Sequence, residues 1–310
     1  MEAASALNPA SPQGREILHL FLVTLAIAGV IFSTVAGLVV FASVRFRSRR
    51  GVPPSSTREN KGLEIIWTVI PAFIVAFLFV STVKVMHAVN PPPSDRAPDL
   101  IVIAHQWWWE LHYPQWGGVT AANEIHLPVE RQLLLRIESA DVDHSFWVPA
   151  LGKKVDAIPK HPNHLWVTID HPGVFLGTCS EFCGAEHAWM RIRVIGQSWP
   201  DFDAWIKRQR EPAAAPASAE AVEGARLFQE RTCATCHTIS GTAAAGVVGP
   251  DLSHFAGRET IGSGVLTNTR GNLVKWIRGP QEIKPGCNMP DFRLPSPEID
   301  ALAGYLGELK

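Results

Sequence analysis

Charge is scarce in this chain of 310 residues: Asp, Glu, Lys and Arg make up 18% of it, against 46% hydrophobic residues. So small a charged fraction suits a chain that lies partly in a bilayer. Neither sign is in excess, the formal net charge being −1, and this removes the polycation argument for nucleic-acid binding. Cysteine is nearly absent outside two short motifs, which take four of the five and leave only Cys287 over. No structural disulfide framework can be built from that remainder. Methionine is as sparse: Met190 is the only one between positions 87 and 288, and Met289 the only one after it. The opening residues Met1-Glu2-Ala3-Ala4 lack the pattern of a cleavable signal. Either the chain starts after processing or its first apolar segment inserts uncleaved.

What is present begins with two apolar runs. Ile17 to Val44 holds 28 residues without Asp, Glu, Lys or Arg, and Ile65 to Val83 holds 19 more. At about 1.5 Å per residue, a helix over the first outruns a hydrocarbon core of roughly 30 Å, and one over the second nearly matches it. Helices are expected over about 17–44 and 63–86, with Pro71 tolerated in lipid as a kink. The connection carries Arg45, Arg47, Arg49, Arg50, Arg58 and Lys61. By the positive-inside rule it faces the cytoplasm, so a tail over 1–16 and everything beyond about residue 86 face the other side.

Residues 97–210 read as β structure. Leu100–Ala104, Gln132–Ile137 and His164–Ile169 are short β-prone runs separated by Pro, Gly and Asp/Asn turns, at intervals typical of a sandwich. A short helix is expected from Trp199 to Arg210. The Ala/Pro-rich stretch over 211–221 reads as a linker. Residues 222–310 then form a compact domain with helix candidates at Ala221–Glu230, Asn272–Ile277 and Ser296–Glu308.

The two cysteine motifs carry different chemistry. In Cys179-Ser-Glu-Phe-Cys183, two thiolates four residues apart on a tight loop can bridge a pair of copper ions. Each copper then needs an imidazole. His187 follows on the same loop, and His144, in Asp141-Val-Asp-His-Ser-Phe-Trp147, is the best candidate for the other. Met190 offers a weak thioether and Glu181 a backbone carbonyl. A zinc site is the competing reading, but zinc takes four strong ligands and would leave the methionine idle. His105, His112, His126, His161, His164 and His171 are expected at the surface or behind the ligands, with His164 and His171 as reserve ligands. In Cys233-Ala-Thr-Cys236-His237 the spacing fits covalent attachment of a c-type haem with His237 as proximal ligand. Met289, 52 residues on, is the expected sixth ligand, with His254 the competitor. The Pro250 carbonyl could fix the proximal imidazole.

These residues resemble subunit II of the haem–copper cytochrome c oxidases, in the caa-type variant with a class I cytochrome c domain fused at the C-terminus. Leu63-Glu-Ile-Ile-Trp-Thr-Val-Ile-Pro71 and His105-Gln-Trp-Trp-Trp109 add to the resemblance, although Trp108 stands where many relatives have Tyr. The resemblance implies a multi-domain membrane protein: a two-helix transmembrane hairpin, an all-β cupredoxin sandwich with a binuclear CuA centre, and an all-α cytochrome c domain. It implies that Trp107 receives electrons for CuA, that Glu181 reaches a magnesium shared with subunit I, and that Glu64 marks the mouth of a proton path. The expected partners are subunits I and III and an upstream donor, either cytochrome c or a bc-type or alternative complex. The expected place is a bacterial plasma membrane, with both metal domains on the periplasmic side. Electrons would pass from haem c through CuA to subunit I, where oxygen is reduced to water with proton pumping. A nitric oxide reductase or a tethered carrier without a fixed partner would be alternative settings for the same architecture.

Overall fold

The structure, a computed structural model, describes residues 5–47, 60–90 and 96–310. Arg49, Arg50 and Arg58 of the basic connection, and Met1 to Ala4, lie outside the described residues. The chain divides into two units, Arg15–Asn90 and the remainder.

The first unit consists of two long helices. Helix α1 runs Pro12–Arg45 and α2 runs Lys61–Val89. Asn60 caps α2, its side chain accepting from the Leu63 amide. Pro71 lies inside α2 and has no N–H to return to the preceding turn. Large apolar side chains point outward along both, Phe32 at 74% and Phe73 at 72% exposure. Helices of this length and apolarity, with no buried face, are those a bilayer accommodates.

The second unit holds the β domain and the C-terminal helical domain. Ten strands make two five-stranded sheets: β1 Leu100–His105, β2 Trp108–Tyr113, β3 Val119–Ala122, β4 Glu124–Pro128, β5 Leu133–Ser139, β6 His144–Trp147, β7 Val155–Ala157, β8 Asn163–Val167, β9 Gly173–Cys179 and β10 Arg191–Gln197. Their orders are β3-β2-β1-β5-β8 and β4-β10-β9-β6-β7, with β1/β5 and β4/β10 parallel and the other pairs antiparallel. Alternation produces the sandwich: in β1, Leu100, Val102 and Ala104 are fully buried and the residues between them are not. Trp109, Leu111 and Tyr113 do the same on β2. Helix α3, Trp199–Gln209, is capped by Ser198 and closes one end with Phe202, Trp205 and Ile206 buried.

After residue 210 the chain crosses to helix α4, Ala219–Glu230, capped by Ser218. The crossing is held at two points: Ala213 donates to the Ser240 carbonyl at 3.1 Å and Ala217 to the Glu308 carboxylate at 2.7 Å. Helix α5 is the short Cys233–Cys236 turn. A two-stranded hairpin, β11 Thr260–Ile261 with β12 Leu266–Thr267, precedes α6 Arg270–Arg278, α7 Pro280–Ile283 and α8 Ser296–Glu308. Helices α4 and α8 cross so closely that a methyl on Gly224 would fall 2.1 Å from the Ala301 carbonyl oxygen.

Candidate metal and haem sites

Strand pairing brings the first site together. Register places Phe146 of β6 opposite Cys179 of β9, so His144, two residues back on β6, lies beside the end of β9. The loop after β9 turns back through a single helical turn at His187–Trp189 into β10, and the Cys179 amide donates to the Met190 carbonyl at 2.9 Å. The result is a chain of soft donors. His144 Nδ1 is 3.8 Å from Cys179 Sγ, Cys179 Sγ is 3.8 Å from Cys183 Sγ, and Cys183 Sγ is 3.6 Å from His187 Nδ1. The Glu181 carbonyl is 3.3 Å from Cys179 Sγ. Met190 is fully buried in the same cluster as both cysteines. The sulfurs are far beyond the roughly 2.05 Å of a disulfide, and both cysteines are free.

Electrostatics favour one ionised sulfur. The Cys183 sulfur 3.8 Å away and the neighbouring His144 hold Cys179 well below the usual thiol range. The same interaction, with burial, pushes Cys183 up. For His144, burial opposes the charge, but Asp141 and then Cys179 outweigh it and move the imidazole up to about 8. Asp141 Oδ1 lies 2.8 Å from His144 Nε2, leaving Nδ1 turned towards the sulfurs. Asp141 escaped the sequence reading, although its place three residues before His144 was the available signal.

Other expected residues fall elsewhere. His164 is exposed on β8, in the opposite sheet from β6 and β9, and His171 is exposed against the Pro172 carbonyl, which removes both as reserve ligands. His126 is part-buried: its ring stacks on Trp205 at 4.2 Å, and burial draws it down to about 4. His105 and His112 grip the two oxygens of Glu110, each at 2.7 Å, and lower that carboxyl to about 2. Glu64 lies in the first turn of α2, exposed. The Glu181 carboxylate turns outward, 3.8 Å from Lys154.

The second site is a crevice of about 190 Å³ lined by Cys233, Cys236, His237 and Met289, with apolar walls from Leu252, Phe255, Trp276 and Ile277. His237 Nδ1 meets the Pro250 carbonyl at 2.8 Å, which leaves Nε2 for the crevice. Burial lowers its pKa, with the Pro250 carbonyl opposing. Gly249 is required here, since a methyl would come within 2.6 Å of the His237 ring. His254, the competing sixth ligand, has both ring nitrogens facing backbone carbonyls, of Lys310 at 2.9 Å and Glu211 at 3.1 Å, and does not line the crevice. Cys287 lines it, half-buried, within 3.3 Å of the Gln281 amide. Two thiols and an anchored imidazole facing one apolar cleft fit a covalently attached haem. The His144–Cys179–Cys183–His187 chain fits a soft thiophilic metal pair.

Fold and donor sets together define a membrane-anchored cupredoxin fused to a c-type cytochrome. Three family models match in sequence order: the transmembrane domain of cytochrome c oxidase subunit II over residues 4–85, its periplasmic domain over 118–197, and cytochrome c over 221–310. Cytochrome c oxidase subunit 2 of Alkalihalophilus pseudofirmus is 35% identical over 100% of this chain and 92% of the relative. That of Bacillus subtilis is 31% identical over 99% and 92%. Among solved structures, the periplasmic domain of subunit II of cytochrome oxidase from Bradyrhizobium japonicum matches 38% of this chain and 96% of its own length, at 30% identity and a TM-score of 0.36. The chain belongs to the cytochrome c oxidase subunit II family, in its form with a fused C-terminal cytochrome c domain. It is thus an electron-input subunit of a haem–copper terminal oxidase, anchored in the membrane beside subunit I, with an extracytoplasmic domain.

Proposed function

We propose that this subunit passes electrons from an upstream donor, by way of one haem c and a binuclear CuA centre, to subunit I of a bacterial plasma-membrane oxidase, where oxygen is reduced to water with proton pumping. The donor is a cytochrome c or a bc-type or alternative complex, subunit III completes the assembly, and both metal domains face the periplasm. The haem is held by Cys233, Cys236, His237 and Met289. The copper pair is held by His144, Cys179, Cys183, His187, Met190 and the Glu181 carbonyl. Trp107 receives electrons for the copper pair, the Glu181 carboxylate reaches a magnesium shared with subunit I, and Glu64 marks the mouth of a proton path. The observation that carries this reading is the unbroken series of contacts His144–Cys179–Cys183–His187 in the same folded unit as the Cys233/Cys236/His237 crevice.

When bound, the metals supply one-electron chemistry; the chain's own work is to hold and insulate. Asp141 and the Pro250 carbonyl each take one nitrogen of an imidazole and so orient the other. His144, 3.8 Å from Cys179 Sγ, favours the ionised form of that sulfur. Leu252, Phe255, Trp276 and Ile277 exclude water from the crevice, which favours a stable potential.

Metal and optical analysis of the purified complex tests the proposal. Two coppers and one c-type haem per chain are expected, with a near-infrared band from the mixed-valence pair. Zinc in place of copper, or protein without porphyrin, would overturn it.

A further inference from the structure

The Ala/Pro-rich linker suggests two bodies on a tether, yet the haem-binding domain is seated on the copper domain through polar contacts, most of them part-buried. Three of them converge on two adjacent residues. The Trp107 carbonyl accepts from Lys284 Nζ at 3.0 Å and from Ser263 Oγ at 2.9 Å, and the Gln106 carbonyl accepts from Asn288 Nδ2 at 2.8 Å. All three donors belong to the haem-binding domain. The side chains of the same two residues turn the other way: Gln106 Nε2 and Trp107 Nε1 both donate to the Cys183 carbonyl, at 2.7 and 2.9 Å. Gln106 and Trp107 also line the crevice that holds His237 and Met289.

Lys284 is the costly member of this group. Its side chain is 4% exposed, and its nearest charge is Glu186 of the copper loop, fully buried at 3.7 Å. Neither Glu186 oxygen has a hydrogen bond. A buried pair with unsatisfied oxygens is a poor source of stability, and its best-attested use is to fix a register. Backbone packing agrees: Gly286 has φ +97°, and a methyl there would sit 3.2 Å from Ala185 Cβ of the copper loop. A second contact fixes the far side, where buried Glu124 accepts from the Glu259 and Thr260 amides at 3.0 and 2.8 Å.

We propose that Lys284 is a positioning residue. With Ser263 and Asn288 it clamps the chain's own haem-binding domain onto Gln106–Trp107, so that the crevice wall and the Cys183 carbonyl are joined by one hydrogen-bonded bridge. This deepens the electron-input reading and rests on it. The linker alone keeps the two domains at an effective concentration of about millimolar; the clamp selects the orientation among the many the tether allows.

The test uses the full chain in its oxidase complex, as Lys284→Met. Three quantities are read: the haem and near-infrared bands, amide exchange over residues 259–263 and 284–289, and the rate at which an electron reaches the copper pair after photoreduction of the haem by a ruthenium polypyridyl complex. Truncating one partner of a buried charge pair weakens an interface by roughly 30-fold or more. Both bands are expected to persist, exchange to rise at least about tenfold, and arrival to slow by a comparable factor. A merely structural residue would lose the bands along with the rate. If Lys284→Met fails to assemble, the Ser263→Ala/Asn288→Ala double variant, which leaves the buried charges paired, should move exchange and rate in the same direction. Intact bands with unchanged exchange and rate would overturn the clamp. Missing bands in the unaltered protein would instead overturn the proposed function beneath it.

Discussion

The copper loop and the haem crevice solve one problem with opposite amounts of sequence. The crevice takes three of its four proposed ligands from five consecutive residues, Cys233 to His237. The copper site draws its first imidazole from β6, 35 residues before Cys179, and depends on the β6/β9 register for it. A one-residue slip of β6 would turn His144 to the other face of the sheet. The supports differ as well. Asp141 brings a full charge to His144 and raises it to about 8, whereas the Pro250 carbonyl brings only a dipole to His237 and burial prevails. One site is thus assembled by tertiary structure and tuned by charge; the other is assembled locally and tuned by burial.

The largest expected effect separates the two sites outright. Cys183→Ser should abolish the near-infrared band and leave the haem spectrum in place; loss of both would mean that the crevice depends on the loop for its folding. Met289→Ala should do the converse, converting the haem to a high-spin, ligand-binding form with the copper band retained. An unchanged haem spectrum would assign the sixth position to another group. Next in size is Asp141→Asn, which keeps the shape but removes the charge on His144 Nε2. Copper affinity should fall by about 10- to 100-fold, measured by chelator competition, without effect on haem content. Gly249→Ala tests the crevice alone: overpacking against the His237 ring should cost about 1–3 kcal/mol, seen as a lower melting temperature of the haem band.

The smallest effect lies in Glu110. Its folded pKa of about 2 is below its usual 4.5, so its contribution is fully present above pH 4.5 and is lost as pH falls towards 2. Because the group is partly exposed, Glu110→Gln should cost only about 1 kcal/mol at neutral pH, and nothing near pH 2. A constant difference across that range would mean the histidines do not set its charge.

Much of the molecule was legible because its signals are local. The apolar runs, the β1, β5 and β8 segments and α8 follow from periodicity, length and turn residues, with differences of a few residues at the ends. The Cys-x-x-Cys-His motif and the Pro250 carbonyl are also near neighbours in sequence. The helix expected over Trp199–Arg210 is α3, which buries Phe202, Trp205 and Ile206. What was not legible depends on distance in the chain. The short α7 and the β11/β12 hairpin have too few residues to carry a period. Nothing in the sequence pairs Glu186 with Lys284, or sets Glu124 under the Thr260 amide, because those contacts exist only after the two domains meet. Buried charge was the clue that composition could not supply.

The peptide between Gln209 and Ala219 has a kinetic meaning apart from its structural one. With the cytochrome on a leash of nine residues, 210–218, each oxidase carries a carrier of its own in fixed one-to-one ratio. Under the proposed function, delivery to copper is a unimolecular event. Dilution of the surrounding medium would slow the first reduction of the haem and leave the step after it untouched.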